Sequence, residues 1–599
     1  MKLFLLCIAI VSLISCGDTD SIENRKNDNQ EINNPHLQKL FDEYATFYYQ
    51  SAPTWAYILG KDEYAGKWAD NSLNGLELEY KNIKDFIYKA NKIDLKKLNK
   101  NENIYFNLLL TDLKTRKSEY ENQIYYFNLT EQYGIHHNIV YTFSSLPTED
   151  ENDFQIIIRL MENTDTQLLN VIDILKLGIK KGLTQPKPSM TGVPNQIETI
   201  TQTPAEDSPF YKPFKSMGNI NNSKKMELQN KAKNLIINKI YPAFNQLKDF
   251  LINEYIPNCR DKIGISNLDK GLEKYTFLAN KFTTTDMTPK QIYKKGLSEV
   301  ERIKKQMLII KDQTNFKGTL NEFNNYLRTN PKFFYNTKEE LLTGYRDICK
   351  RIDHGLVKLF KRLPQLPYGV VPVPEYLEKN YTTARYSSGS MESGKPGEFL
   401  ANTYDLKSRP KWEMEALSLH EAVPGHHLQL SLAGEIKNQP EFKQFLSYTV
   451  YVEGWALYAE SLGEDLGLYQ DPYSKYGQLT YEMWRAIRLV LDPAIHTMGW
   501  SREKAINYFK ENSAKTLKDI EVEVDRYIGW PGQALAYKIG EIKIQEIRNK
   551  AEAELKGNFY IRDFHDMLLS NGALPLSVLE TMADDWIETT KNSIKQKEK

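Results

Sequence analysis

From about His36 onward, apolar residues recur every three or four positions, the spacing of helices that bury one face. The stretch "LIINKIYPAFNQLKDFLINEY" sets Leu235, Ile236, Ile240, Phe244, Leu247 and Leu251 on one stripe. "TPKQIYKKGLSEVERIKKQMLIIKD" does the same with Tyr293, Leu297, Val300, Ile303, Met307 and Ile310. Its Thr288 stands where a hydroxyl caps the first turn, and Pro289 takes the first helical position, where a missing N–H costs nothing. The pattern changes between residues 364 and 410, a zone rich in Pro, Gly, Ser and Thr with two extended candidates, "YGVVPV" and "GEFLANTY". No fixed-period repeat or low-complexity block interrupts the body. This order predicts a mainly α fold, a large helical body with a small β-sheet near the helix that follows Pro410.

The first residues read differently. "MKLFLLCIAIVSLISC" joins a basic Lys2 to an apolar run and then to Leu13-Ile14-Ser15-Cys16, which resembles a bacterial lipobox. The run is too short and wrongly flanked for a spanning helix. Residues 1–15 are therefore expected to be a lipoprotein signal peptide, with Cys16 the lipidated residue. The polar stretch after it, to residue 35, is expected to be a disordered tether, and residues 36–595 the body. No later stretch reaches the ~18 consecutive apolar residues that a membrane span needs. The expected location is the bacterial cell envelope, with the lipid bilayer as a partner through the anchor.

Charge and cysteine content narrow the function classes. Lys plus Arg and Asp plus Glu are 78 each, so no net field favours nucleic acid. Of the four cysteines, Cys7 leaves with the signal and Cys16 is the anchor; Cys259 and Cys349 are no disulfide scaffold for so large a body.

The chemistry concentrates in "LSLHEAVPGHHLQ", residues 417–429, which holds three of the nine histidines. His420-Glu421 opens like the zinc-peptidase motif HExxH, but Pro424 stands where the second histidine belongs. The approach "PKWEMEALSLHEA" is helical, with Trp412, Ala416, Leu419 and Val423 on its apolar stripe, so His420 and Glu421 are expected well inside a helix. On an unbroken helix His426 would lie about 120° from His420, and His427 about 10 Å further along the axis. Neither arrangement serves one zinc, whose nitrogen ligands lie ~2.0–2.1 Å from the metal. The helix must therefore break, and Pro424-Gly425 is the pair that breaks it. A third ligand is expected from the next helix, "FLSYTVYVEGWALYAESLGEDLG", which carries Glu453 and, seven residues later on the same face, Glu460.

The "EGWALYAE" segment resembles the glutamate-bearing helix of one-zinc aminopeptidases, and the order His-Glu, His, downstream Glu resembles the gluzincin peptidases. Aligning the Gly-His pair common to several of their motifs selects His426 as the second ligand, with His427 beside it. The blocks "KPGEFLANTYDLKSRPKWEMEALSLHEAVPGHHLQ", "YVEGWALYAESLGEDLG", "RAIRLVLDPAIHTMGWS" and "VDRYIGWPGQALAYKIG" together resemble the bacterial family called domain of unknown function 885. Weaker similarity begins near "APTWAYILG". "LDPAIH" departs from the Asp-Thr-Gly that the family more often shows before its histidine.

The resemblance implies a gluzincin-like zinc-peptidase fold, with the zinc-site half at about residues 364–545. It also implies one zinc per chain on His420, His426 and Glu453, and hydrolysis of peptide bonds, with Glu421 as general base. His496, Tyr527 and Tyr537 are the candidates for steadying the oxyanion. Arg488 and Lys538 are candidates for holding a substrate carboxylate, His427 is a candidate substrate-binding residue beside the site, and "GEFLANTY" is a candidate edge for a peptide strand. Two other readings stay open: a zinc-dependent amidase acting on cell-wall peptide or small conjugates, and a non-enzymatic nutrient-binding lipoprotein.

Overall fold

The computed structural model describes residues 32–378, 382–391 and 394–597. The signal segment, Cys16 and the tether up to residue 31 lie outside them. Helices dominate the described residues, and the stripes read from sequence become buried faces. Ile236, Ile240, Phe244, Leu247 and Leu251 are fully buried, although two single π turns interrupt the α-helix that carries them. Helix α1 (Pro289–Gln313) begins with the expected cap, in which Thr288 and Gln291 exchange hydrogen bonds. Ile292, Val300, Ile303 and Met307 form its inner face, whereas Leu297 is 39% exposed. The 3.6-residue period explains the slip, since position 296 rather than 297 points inward.

The residues that surround the site come next in the chain. They are α2 (Lys338–Leu359), strands β1 (Tyr368–Pro372), β2 (Ala384–Ser387) and β3 (Gly397–Ala401), and α3 (Met414–Glu421). Then follow α4 (His426–Gly434), α5 (Thr449–Ser461), the long α6 (Pro472–Thr497), α7 (Leu517–Gly529) and α8 (Ala536–Leu555). The sheet order is β1-β3-β2, with β1 parallel and β2 antiparallel to β3. "YGVVPV" and "GEFLANTY" thus contain β1 and β3. The short β2, "ARYS", had no alternating pattern long enough to mark it.

One consequence corrects an expectation. β3 is the central strand with partners on both sides, so "GEFLANTY" has no free edge for a peptide; the outer edge near the site belongs to β2.

One hydrophobic core joins the two ends of the body, running from Leu37, Tyr44 and Phe86 through Tyr345, Leu419, Trp455 and Tyr458 to Phe564 and Ile587. A second fills residues 129–259, and a third packs α1 against α6 and α7 through Ile303, Met307, Ile487, Val490 and Tyr527. Cys259 sits in the second core and Cys349 in the first, both as buried free thiols. α3 lies against α2, α5 and α6, and β2 lies over it. α5 in turn packs on α8 at a contact only glycines allow: a Cβ on Gly454 would stand 2.5 Å from the Gly540 Cα.

Candidate metal centre

Helix α3 ends at Glu421, so His420 and Glu421 occupy its last turn rather than its interior. Ala422 leaves the helical region (φ −95°, ψ −115°), the Val423–Pro424 peptide is cis, and α4 starts at His426. The break is held by its own bonds. The Trp455 indole N–H donates to the Pro424 carbonyl at 2.8 Å, and the His427 amide donates to the Ala422 carbonyl at 3.0 Å. A Cβ on Gly425 would fall on the carbonyl oxygens of Leu419 and His420, so no larger residue fits this turn.

The break brings His426 back to His420. Their rings lie 4.7 Å apart at 86°, and each Nε2 is 3.5 Å from Glu453 Oε2. His420, His426 and Glu453 are the one such group of three potential ligands among the described residues, all ligand atoms lying within 4.8 Å. Two zinc–ligand bonds of ~2.0–2.2 Å meeting at a tetrahedral angle separate their donor atoms by ~3.3–3.6 Å. The spacing fits.

The electrostatics fit a cation as well. Glu453 Oε2 and His426 Nδ1 are buried without a hydrogen bond. Burial opposes charge on His420, yet the facing carboxylates of Glu453 and Glu460 raise its pKa to about 9. Burial likewise opposes charge on Glu453, but the two histidines hold its carboxylate well below the usual range. A pocket so arranged favours positive charge between these three side chains. With two imidazole nitrogens and one carboxylate oxygen, the donor set suits zinc.

Around the ligands, Glu460 Oε1 lies 2.8 Å from His420 Nδ1, which fixes the ring and leaves Nε2 facing Glu453. A carboxylate behind a metal-binding imidazole is a recurrent way to orient it. Arg485 Nη2 stands 3.5 Å from the same Glu460 oxygen. Glu421 Oε2 accepts the Tyr386 amide of the β2 edge at 2.7 Å, which fixes its carboxylate beside the ligands. The heptad spacing of Glu453 and Glu460 was visible in the sequence. Trp455, Tyr386 and Arg485 were not, because their partners are far away in the chain.

Several other candidates lie elsewhere or are already committed. His427 faces the sheet: its Nδ1 meets the Tyr386 hydroxyl at 2.9 Å and Ser431 Oγ at 3.3 Å, and burial pushes its pKa down to about 4. It braces α4 against β2 and is no substrate contact. His496 is fully buried, with the Ile265 amide on Nδ1 and the Tyr527 carbonyl 2.8 Å from Nε2. Both nitrogens are occupied, so it is a structural residue and offers no oxyanion donor. Tyr527 gives its hydroxyl proton to Glu523 at 2.8 Å, deep in the third core. Lys538 is enclosed by Glu482, Glu541 and Glu299 at 2.8, 2.7 and 3.4 Å, which leaves it no charge for a substrate. Arg488 pairs with Glu523 at 2.9 Å but keeps Nη1 without a partner. Tyr537 is half-buried, one turn ahead of the Gly540 that touches Gly454, the neighbour of Glu453.

The same architecture occurs in solved bacterial structures. The chain is similar to a "putative lipoprotein" from Colwellia psychrerythraea, with a TM-score of 0.86 and 25% identity over 92% of this chain and 99% of that one. It shares its fold with a "putative lipoprotein of unknown function" from Shewanella oneidensis, with a TM-score of 0.65 and 18% identity over 91% and 99% of the two chains. No curated protein matches it. A family model matches residues 53–582, almost the whole described body, and on that match the chain belongs to the family described as bacterial protein of unknown function, DUF885.

Proposed function

We infer that this protein is a zinc-dependent hydrolase that cleaves peptide bonds. The observation that carries the reading is the convergence of His420, His426 and Glu453 on one point, beside a Glu421 carboxylate held in place by a strand edge. A gluzincin-like arrangement of one His-Glu helix and one glutamate helix is part of the same proposal.

Zinc held there would act as a Lewis acid and lower the pKa of a water to about 7. The remaining work belongs to the chain. Glu421 takes the proton of the attacking water and passes it to the departing amine nitrogen. The Tyr386 amide fixes one carboxylate oxygen, Oε2, and Oε1 carries the proton. Glu460 keeps the His420 ring from rotating, and the Trp455 bond keeps the break from relaxing into continuous helix. The half-buried Tyr537 on α8 is our candidate to donate to a developing oxyanion. The outer edge of β2, beside Glu421, is the strand edge on which an extended peptide would lie.

The test is metal analysis of the purified body followed by exposure to a mixed peptide library. We expect about one zinc per chain and new peptide termini that disappear with chelator and return with zinc. A chain that holds no zinc, or a zinc-loaded chain that leaves every peptide intact, would overturn the reading.

Lipid anchoring through Cys16 belongs to the same proposal. The description of the Colwellia relative supports it, and no described helix is long and apolar enough to cross a membrane. Cys16→Ser is expected to move the protein from the membrane fraction to the soluble fraction. Retention of that variant on the membrane would refute the anchor.

A further inference from the structure

The inner face of α6 carries two arginines whose charges are not matched by the carboxylates around them. Arg485 and Arg488 are 4% and 3% exposed. Arg485 lies over the rings of Tyr481 and Trp484 at 4.7 and 5.0 Å and reaches the Glu460 that orients His420. One turn on, Arg488 lies over Trp484 and Tyr537 at 4.9 and 4.1 Å. Its Nε donates to the Tyr527 hydroxyl at 3.2 Å and its Nη2 to Glu523 at 2.9 Å.

That Glu523 is shared. Arg526 Nη1 also donates to it at 3.1 Å, while Arg526 Nη2 bonds Gln533 and stands 3.5 Å from the Tyr537 hydroxyl. Two guanidiniums therefore divide one carboxylate, and the cluster retains a net positive charge. The nearby Asp492 pairs with neither guanidinium: its carboxylate accepts from the Tyr275 hydroxyl at 2.6 Å and the Gly532 amide at 3.0 Å, and burial pushes its pKa up to about 7. Arg488 Nη1 is buried and makes no hydrogen bond. A buried, charged N–H left unbonded is costly, so this group calls for a partner, which water or a ligand can supply.

Its position says which ligand. Arg485 ties this wall to Glu460 and His420, while Tyr537 lies one turn from the Gly540·Gly454 contact beside Glu453. Arg488 thus lies where α6, packed on α3, meets α8, packed on α5, the two helices that carry His420 and Glu453. Guanidinium matches carboxylate geometry best among the anions a peptide carries, and every linear peptide ends in a carboxylate. Resting on the hydrolase reading above, the geometry assigns Arg488, stacked on Tyr537, as the residue that receives a substrate carboxylate, the free chain end of a peptide cut near its C-terminus.

The test uses the full chain with Glu421→Gln, loaded with zinc, so that binding is read without turnover. Three probes are titrated by calorimetry: acetyl-Ala-Ala-Ala as the free acid, its C-terminal amide, and acetyl-Ala-Ala-Glu amide, whose only carboxylate is a side chain. The free acid is expected to bind roughly tenfold to a hundredfold tighter than its amide, the range for one charge-assisted hydrogen bond. Arg488→Lys, which keeps the buried charge but loses Nη1, should erase that difference while leaving zinc content unchanged. Equal binding of acid and amide overturns the assignment, and the wild-type comparison decides it even where the variant does not fold. Tight binding of the glutamyl amide would assign the subsite to acidic side chains and overturn the chain-end reading. Should the acid be bound through Arg488 while the unmutated, zinc-loaded chain cuts no peptide of the mixed library, the carboxylate site stands and the hydrolase reading fails.

Discussion

Glu421→Gln is expected to slow peptide hydrolysis by about 10²–10⁴-fold, the usual cost of removing a general base, with zinc bound as in the unmutated chain. The two halves of this expectation have separate physical grounds. Glutamine has nearly the shape of glutamate and can still accept the Tyr386 amide bond that holds position 421. The turn should therefore keep its geometry, and His420, His426 and Glu453 their spacing. What glutamine cannot do is take a proton, so the attacking water would stay unactivated. Rates on library peptides and zinc content should be measured on the same samples. Hydrolysis at the unmutated rate would remove Glu421 from the reaction, and loss of zinc would place it among the ligands instead.

His426→Ala is expected to abolish stoichiometric zinc, whereas His427→Ala should retain it. The two histidines are adjacent in sequence but face opposite ways: His426 Nε2 is directed at Glu453, and His427 is bonded to Tyr386 and Ser431 on the sheet side. Removing a ligand from a three-residue site leaves too few donors, so Glu453→Gln should behave like His426→Ala. Glu460→Gln should fall between, since partners of ligating histidines typically contribute ~10–100-fold in metal affinity. Competition with a chelator of known affinity ranks all four variants. Zinc kept by His426→Ala but lost from His427→Ala would reverse the assignment.

Local chemistry made part of this protein legible before any tertiary information. The 3.6-residue stripe around Phe244 and the Thr288 cap needed only sequence neighbours to form, and both are present. The break at Pro424-Gly425 was likewise a local necessity, because no regular helix lets His420 share a metal with either later histidine. Glu453 and Glu460 could be read from one heptad on one helix.

Tertiary packing decided the rest. Whether a polar residue serves chemistry or structure depends on what lies opposite it, and those partners come from distant segments. His496 meets Ile265, Lys538 meets Glu299 and Glu482, and Tyr527 gives its proton to Glu523, which two arginines also share. "GEFLANTY" was expected to offer a free edge and lies in the centre, because strand order is set by how chain segments cross. The sequence by itself therefore determined which residues are candidates for metal binding and proton transfer and where the helix breaks. Only the folded structure decided which of them face one another, since burial in a low-dielectric core matches each charge to its nearest available partner, wherever that partner lies in the chain.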